Sequence, residues 1–274
     1  MSDSLLEFLY RTAPGRLALK AAACPGVSAA AGRFMDSRLS APLIGPFIRK
    51  NKIPLGDYLG APYRSFNEFF TRPIRPELRP FPAEAEALPA PCDGRLSAYR
   101  ITEDTVLPIK QSLFTVPGLL GGDPAAESFQ NGVCLVFRLC VDHYHRYCYI
   151  DDGVKGENVF LPGQLHTVRP VALSALPVFE RNCREYTLMD TVHFGRVAQI
   201  EVGAMLVGRI RNHHGAGPVA RGAEKGMFLY GGSTVVLLLE KDRVVLPESL
   251  FESTAAGRET PVRLGQTIGR ATGP

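Results

Sequence analysis

Long apolar runs are absent from this chain of 274 residues. A helix that spans a bilayer needs about 20 consecutive apolar residues, and no segment of the sequence reaches that length. A secretory signal is not expected either, because the N-terminal sequence MSDSLLEFLYR carries acidic residues ahead of its first basic one. Any contact with a membrane is therefore expected to be made from the side.

The six cysteines lack the spacing of metal or redox motifs. The sequence contains no CxxC pair and no zinc-ligand spacing, and most of the cysteines stand among apolar residues. Reduced, buried thiols in a cytoplasmic protein are therefore favoured over disulfides. Tryptophan is absent as well, and no internal repeat is evident.

A strong excess of charge of one sign is also missing. The formal net charge is +4, and charged residues make up 21% of the chain against 45% hydrophobic residues. This composition indicates a globular core and excludes intrinsic disorder. The mild positive charge is compatible with an anionic membrane surface or substrate, and it is too small to indicate nucleic-acid binding.

The pattern of the sequence changes near residue 70. Residues 1–70 are predicted to be helical, and the segments GRFMDSRLS and APLIGPFIRKNKI alternate apolar with basic residues. Such amphipathic segments either lie in a membrane interface or pack on the main domain. Residues 71–274 begin with a proline-rich stretch, interpreted as an extended linker. Short apolar runs separated by turn residues follow it, and they predict a compact, mostly β domain.

The segment YGGSTVVLLLEKD places two glycines and two hydroxyl residues directly before a predicted core strand. Gly232 lets the backbone bend sharply, so that the Ser233 hydroxyl can attack the preceding carbonyl. An N-to-O acyl shift would turn the Gly232–Ser233 amide into an ester. Elimination and hydrolysis would then leave a pyruvoyl group, an electrophile that condenses with amines and accepts electrons. An ordinary turn is the alternative interpretation.

Further segments occur in a defined order along the chain. They are YRSFNEFFTRPIRPELRPF (63–81), APCDGRL (90–96), IKQSLFTVPGLLG (109–121), CVDHYHRYCYIDDG (140–153), LHTVRPVAL (165–173), FERNCREY (179–186), VAQIEVGAMLVGRI (197–210) and RGAEKGMFLYGGSTV (221–235). Together they resemble the phosphatidylserine decarboxylase family, whose self-cleavage site is Leu-Gly-Ser-Thr or Gly-Gly-Ser-Thr before a hydrophobic strand. The resemblance covers nearly the whole chain.

The resemblance implies roles for the cleavage site and for one aspartate. Ser233 matches the family's self-cleavage serine, which becomes the pyruvoyl group. Gly232 would end a β chain of residues 1–232, and an α chain of residues 233–274 would follow. Asp93 matches the aspartate of an Asp–His–Ser triad that resembles the triad of serine proteases, although an Asp-Gly pair is also a common turn.

The triad histidine cannot be carried over directly. The family motif His-Arg-x-His has two histidines, and this sequence keeps His145 but has Cys148 at the second place. His145 matches the residue linked to decarboxylation, which handles the substrate carboxylate or the proton delivered to the product carbon. His166 is the candidate for the missing base, because a neutral imidazole suits proton transfer near pH 7. A structural role for His166 is the alternative.

The remaining polar candidates carry weaker signals. His143 is interpreted as a surface residue and Asp142 as a turn acid. Three more histidines have no acidic or cysteine ligand at a useful spacing, so no metal site is expected: His193, His213 and His214. Three charged residues either border the substrate entrance or are solvated: Arg221, Glu224 and Lys225.

The resemblance implies an α+β fold, with a mostly β catalytic domain that is barrel-like or a sandwich and with N-terminal amphipathic helices. The implied activity is decarboxylation of phosphatidylserine to phosphatidylethanolamine, with a covalent pyruvoyl group as the cofactor and no metal. The expected location is peripheral, at the cytoplasmic face of the cell membrane. The alternatives are a pyruvoyl enzyme for another serine-headgroup lipid or a soluble amino acid, and an unprocessed membrane-binding scaffold.

The expected partners follow from the same resemblance. They are the phosphatidylserine substrate, an anionic membrane surface, and the α and β chains of one precursor, with no nucleic acid. The family includes dimers, and the sequence leaves the oligomeric state open.

Overall fold

The structure is a computed structural model that describes residues 25–109, 112–163, 182–203, 209–230 and 233–273. The described residues form an α+β fold in which strands outnumber helices. The helices are α1 (Pro25–Asp36), α2 (Ile44–Asn51), α3 (Phe66–Phe70), α4 (Val116–Leu119) and α5 (Glu248–Ala255). Among these helices, none is both long and apolar enough to cross a bilayer.

Most of the described chain is in short strands. In chain order they are β1 (Ala87–Pro89), β2 (Gly94–Arg100), β3 (Leu107–Ile109), β4 (Ser112–Phe114), β5 (Val133–Leu139), β6 (Arg146–Cys148), β7 (Gly153–Lys155), β8 (Val159–Leu161), β9 (Arg184–Thr191), β10 (Gly195–Gly203), β11 (Ile210–Asn212), β12 (Gly217–Val219), β13 (Glu224–Phe228), β14 (Ser233–Leu239), β15 (Val244–Val245), β16 (Thr260–Val262) and β17 (Thr267–Ala271).

The strands form one large sheet and three small ones. The large sheet has the order β12-β7-β9-β10-β14-β5-β2-β16, with β8 paired to β9, and the small sheets are β1-β17-β15, β11-β13-β6 and β3-β4. In the described residues no sheet closes into a barrel. The predicted α+β, mostly β fold is confirmed. The resemblance implied either a barrel-like or a sandwich arrangement, and the described sheets are sandwich-like.

Strand β14 lies at the centre of the large sheet, between β10 and β5. All seven of its residues are buried. Successive side chains of a strand point to opposite faces, so Val235 and Leu237 enter one core and Val236 and Leu238 enter the other. Burial on both faces explains why this strand is a continuous apolar run with no polar alternation.

A third core joins helices α2 and α3 to the strands. Phe66, Phe69 and Phe70 of α3 pack with Tyr144 and Cys148 in this core. The Ser65 hydroxyl accepts a hydrogen bond from the Glu68 N–H at 3.2 Å and so caps the helix. Helices α1, α2 and α3 lie in the region predicted to be helical, whereas residues 52–65 are mostly non-helical, and residues 1–24 lie outside the described part.

The proline-rich stretch after residue 71 is not a linker. Arg72, Leu88 and Ala90 are fully buried, and Ile74 is nearly so. Strand β1 pairs with β17 near the C-terminus. The prolines suggested a spacer, but Ile74, Leu88 and Ala90 belong to the core, so that interpretation is wrong.

The cysteines agree with the expectation of free thiols. Among the described cysteines, Cys92, Cys134, Cys140 and Cys148 carry free thiols. Cys92, Cys134 and Cys148 are buried, whereas Cys140 and Cys183 are partly exposed.

Candidate active site

Ser233 begins the central strand β14 and is only 2% exposed. Its Cα pairs with Leu139 on β5 and with Gly203 on β10. Its Oγ is buried and has no hydrogen-bond partner among the described residues. Such an atom is costly to bury for structural reasons alone, which indicates a functional role. Gly232, the other side of the predicted cleavage bond, lies outside the described residues.

Asp93 directly precedes β2 and is held by two neighbours. Oδ1 accepts hydrogen bonds from Arg79 Nε at 2.7 Å and from the Leu264 N–H at 2.8 Å. Oδ2 accepts one from Arg79 Nη2 at 2.6 Å. A carboxylate oxygen has about two acceptor positions, so Oδ2 keeps one position for a further donor.

Asp93 and Ser233 lie at the same end of two strands of the large sheet, and this end is called the Ser233 edge below. Strands β2 and β14 flank β5, and both run antiparallel to it. Their first residues therefore meet the end of β5, at Leu139. Neighbouring strands are about 4.7–4.9 Å apart, so the two backbones are separated by about 10 Å. An imidazole that bonds both side chains would have to lie over the end of β5.

His145 is fully buried against the Phe70 ring, with centroids 3.9 Å apart. Its Nδ1 lies 2.8 Å from the His143 carbonyl oxygen, which can only accept, so Nδ1 carries the proton. The lone pair is then on Nε2, which is buried and unpartnered in the described chain. Burial lowers the pKa of His145 to about 3, and the positive charge of Arg72 contributes further. The ring is therefore neutral at pH 7.

Cys148 occupies the place of the second motif histidine and is not a base. It is buried, and its N–H donates to the Pro91 carbonyl at 2.9 Å, two residues before Asp93. Burial raises the pKa of Cys148 to about 12, so the thiol stays protonated. The second motif position thus lies beside the aspartate but carries no group that can take a proton near pH 7.

The predicted replacement base, His166, lies outside the described residues. Residues 182 and 183 are described, and both bond to the strand residue that pairs with Ser233. Gly203, the partner of Ser233 on β10, donates its N–H to the Cys183 carbonyl at 2.9 Å. Asn182 Nδ2 donates to the Gly203 carbonyl, also at 2.9 Å.

His143 is partly buried, which corrects its interpretation as a surface residue. Its Nδ1 accepts a hydrogen bond from the Cys140 N–H at 3.1 Å. Burial lowers the pKa of His143, although Asp142 and Asp93 oppose the effect. A neutral ring with its lone pair engaged at Nδ1 carries its proton on Nε2, and it is a poor general base in this state.

The other histidines have separate partners. His193 Nδ1 lies 2.9 Å from an Asp151 oxygen, and His213 Nε2 lies 2.8 Å from a Glu224 oxygen. His214 Nδ1 lies 3.3 Å from the Tyr149 hydroxyl. Their prediction as weak site candidates is not tested by these contacts.

Lys225 is not solvated, so that interpretation is wrong, and its position beside the substrate entrance stays a prediction. It is fully buried, with Nζ 2.6 Å from Glu201 Oε2 and 3.3 Å from Asn212 Oδ1. Burial lowers the pKa of Lys225 and raises that of Glu201, and the ion pair opposes both shifts. Glu201 sits opposite Val235, two residues from Ser233 along the ladder. The pair joins residues 24 positions apart, so no local signal in the sequence could have found it.

The other two charged residues also have specific partners. Glu224 pairs with Arg146 at 2.9 Å. Arg221 donates to the backbone carbonyls of Glu84, Ala85 and Ala87. Glu224 therefore links β13 to β6, and Arg221 links its loop to the segment just before and within β1.

The segment that leads to residue 233 is held by the N-terminal helices. The Tyr230 N–H donates to Asn67 Oδ1 at 3.0 Å, and Asn67 Nδ2 donates to Asp36 Oδ1 at 2.7 Å. The Tyr230 ring packs edge-to-face on Phe66, with centroids 4.9 Å apart. Helices α1 and α3 are thus connected to the start of β14.

Comparisons with known proteins identify the class of this site. The family model described as phosphatidylserine decarboxylase matches residues 66–270. The match to this model defines the chain as a decarboxylase, a carboxy-lyase. The chain belongs to the phosphatidylserine decarboxylase family.

Curated relatives resemble the chain over most of its length. Phosphatidylserine decarboxylase proenzyme 2 of Clostridium acetobutylicum is 42% identical over 265 residues, which are 96% of this chain and 91% of that protein. The phosphatidylserine decarboxylase proenzyme of Ruminiclostridium cellulolyticum is 38% identical, with 97% and 90% covered. A proenzyme of the same name from Clostridium botulinum is 35% identical, with 87% and 82% covered.

Proposed function

We propose that this protein cleaves itself between Gly232 and Ser233 and then decarboxylates phosphatidylserine to phosphatidylethanolamine. The observation that carries the proposal is the buried, unpartnered Oγ of Ser233 at the Ser233 edge, where Asp93 also lies. Family membership supports the reaction class. The products would be a β chain of residues 1–232 and an α chain of residues 233–274.

Self-cleavage needs a nucleophile, a base and an orienting group. Ser233 Oγ attacks the Gly232 carbonyl carbon, its proton passes to His166, and the amide becomes an ester as the Ser233 nitrogen leaves. The free acceptor position of Asp93 Oδ2 is suited to orient the imidazole. The assignment of His166 as the base rests on the sequence, because a neutral imidazole has a pKa suited to this proton transfer and Cys148 cannot take its place.

Elimination would release the Gly232 carboxylate and leave dehydroalanine, and hydrolysis of dehydroalanine would release ammonia and give a pyruvoyl group at residue 233. The site fits this group, because a ketone needs no acceptor for a hydroxyl proton and Ser233 Oγ has none. A pyruvoyl group supplies an electrophilic carbonyl that binds the substrate amine and takes up the electrons left by carbon dioxide.

His145 is proposed to handle the proton in the decarboxylation step. Its Nε2 has a lone pair and no partner in the described chain, and Phe70 keeps water from one face of the ring. The neutral ring presents its Nε2 lone pair, which can accept a hydrogen bond or a proton from a group in the site.

The N-terminal region, residues 1–70, is proposed to hold the site at an anionic bilayer on the cytoplasmic face. Phe34, Leu39 and Leu43 expose apolar side chains, and Leu39 is 77% exposed. Arg38 and Lys50 are exposed nearby in sequence. Exposed apolar residues among cations bind the interface of acidic lipids, and the rest of the chain, from residue 71, would be the catalytic domain.

Denaturing mass spectrometry of purified protein tests the proposal. Wild type should give two chains split at residues 232–233, and Ser233→Ala should give one. Activity on liposomal phosphatidylserine should exceed activity on free serine. A single wild-type chain would indicate an unprocessed scaffold, and preference for free serine would indicate a soluble substrate; either result would contradict the proposal.

A further inference from the structure

A turn after strand β5 brings three metal-binding residue types together. Cys140, Asp142 and His143 each offer a ligand atom, and these atoms lie within 4.8 Å of one another. The turn is closed by the His143 N–H, which donates to the Cys140 carbonyl at 3.0 Å. Backbone bonding, and not chance contact of long side chains, therefore fixes the cluster.

The His143 side chain lies against the backbone of residue 140. Its Nδ1 accepts a hydrogen bond from the Cys140 N–H at 3.1 Å, and an ion bound at Nδ1 would replace that hydrogen bond. Asp142 is exposed and can turn toward an ion.

The neighbouring cation does not exclude a metal. Arg138 Nη1 donates to Cys140 Sγ at 3.3 Å, which makes the sulfur an acceptor in the resting structure. The guanidinium of Arg138 is itself paired with Glu259. Its charge is therefore largely compensated, and a dication beside Cys140 meets little repulsion from it.

We propose that Cys140, Asp142 and His143 bind a transition-metal dication of the Zn²⁺ type. A thiolate, an imidazole and a carboxylate together match the preference of Zn²⁺ and Co²⁺, and hard ions such as Mg²⁺ prefer oxygen alone. Three protein ligands leave a fourth position open to water or an exogenous ligand. No metal site was expected from the sequence, because the cysteines have no zinc-ligand spacing and the weaker histidine candidates lack acidic or cysteine ligands at a useful spacing.

The site is next to the proposed reaction centre but separate from it. Cys140 follows Leu139, which is the ladder partner of Ser233. An ion at Cys140 would therefore sit one residue from the Ser233 edge, where Asp93 also lies. Metal binding at this turn is independent of whether the bond between residues 232 and 233 is cut.

Cobalt titration of the full-length protein tests the site directly. Co²⁺ bound to a thiolate gives a near-ultraviolet charge-transfer band, and Zn²⁺ should remove that band because it binds such sites more tightly. Cys140→Ser should abolish the band. His143→Ala should weaken Co²⁺ binding by at least about tenfold.

The matched control is Cys183→Ser, because Cys183 is the other partly exposed cysteine of the described residues. That variant should keep the band. Asp142→Asn, at an exposed position, tests a ligand without risk to the core, and it should weaken Co²⁺ binding. Thermal melting should show that every variant is folded. Absence of the band in wild type, its survival in Cys140→Ser, or unchanged affinity in both His143→Ala and Asp142→Asn would overturn the site.

Discussion

Arg79 holds the Asp93 carboxylate by two parallel hydrogen bonds and leaves one acceptor position on Oδ2 free. Such bidentate pairs fix orientation as well as distance. A histidine bound at the free position would inherit that orientation. Arg79 is therefore a positioning residue for self-cleavage.

Arg79→Ala should slow the conversion of precursor into two chains. Hydrogen bonds to charged groups contribute about 1.5–3 kcal/mol, and the rate should fall by about ten- to hundredfold if that energy serves orientation. Pulse-chase labelling measures the rate. Arg79→Lys should restore part of it, and Arg196→Ala, which removes an exposed ion pair with Asp190, should leave it unchanged. Equal rates in wild type and Arg79→Ala would refute the role.

His145 and His166 should fail at different steps. His166→Ala should remain a single chain, because the Ser233 hydroxyl loses its base. His145→Ala should split into two chains yet lose decarboxylation by about 10²–10⁴-fold. Mass spectrometry and a phosphatidylserine assay on the same preparations separate the two effects. Full processing of His166→Ala together with none in His145→Ala would reverse the assignment.

At the scale of elements, helix α3 is joined to the segment before Ser233 through Asn67. This side chain accepts from the Tyr230 N–H and donates to Asp36, and it is 3% exposed. Removing it leaves a largely buried N–H without a partner. Helix α3 is thus part of the support of the cleavage site.

Asn67→Ala should lower the free energy of unfolding by about 1–3 kcal/mol. It should also reduce self-cleavage, because the approach to residue 232 is less restrained. Thermal melting and the fraction cleaved are the two measurements. Asn51→Ala is the control, since Asn51 bonds only to the Phe47 carbonyl of its own helix. Normal cleavage in Asn67→Ala would show that α3 has no influence on the site.

Strand β9 is tied to the loop at residue 123 by a carboxylate. Asp123 accepts from the Tyr186 hydroxyl at 2.7 Å and from the Ala125 N–H at 2.9 Å. The bond from Tyr186, then that from Ala125, lowers the pKa of Asp123. A carboxyl whose pKa is lower in the folded state stabilises the fold above its unfolded pKa, about 3.9. That contribution is lost as the pH falls through the folded value.

Asp123→Asn should therefore lower the free energy of unfolding at pH 7. As the pH falls below about 4, the variant should lose less of its free energy of unfolding than the wild type does. Urea unfolding at several pH values gives the comparison. Asp104→Asn removes the same charge at an exposed position and should not change the acid dependence. A parallel acid dependence in wild type and Asp123→Asn would contradict the assignment.

Single elements differ in how far their sequence predicts them. The run from Val235 to Leu239 predicted a buried strand, and the structure confirms it with Ser233 as the first strand residue. The Arg79–Asp93 pair was not predictable, because the prolines around Arg79 suggested a linker. The burial of Lys225 depends on its partner Glu201, 24 positions away, and such long-range pairing follows from strand order, which local patterns do not contain.

At the scale of the whole molecule, the proposed α chain supplies the middle of the large sheet. Strand β14 has β10 on one side and β5 on the other, and both belong to the proposed β chain. Cutting the bond between residues 232 and 233 leaves both ladders intact. The two chains should therefore remain associated.

Size-exclusion chromatography should show both chains in one peak under native conditions. They should separate only in denaturant, at the concentration where the fold itself unfolds, because removal of β14 exposes both cores. The uncleaved Ser233→Ala protein is the reference for elution volume. Release of the α chain below the unfolding transition would contradict this expectation.

The burial of Ser233 within a strand of the chain has a consequence for the working life of the protein. A prosthetic group made from that residue could not be exchanged or replaced. Each polypeptide would therefore have one such group for its whole lifetime. Only 2% of Ser233 is exposed, and the same burial would shield a group made from it from reductants. Replacement of spent molecules would then require new translation, and the supply of activity would be set by gene expression and protein turnover.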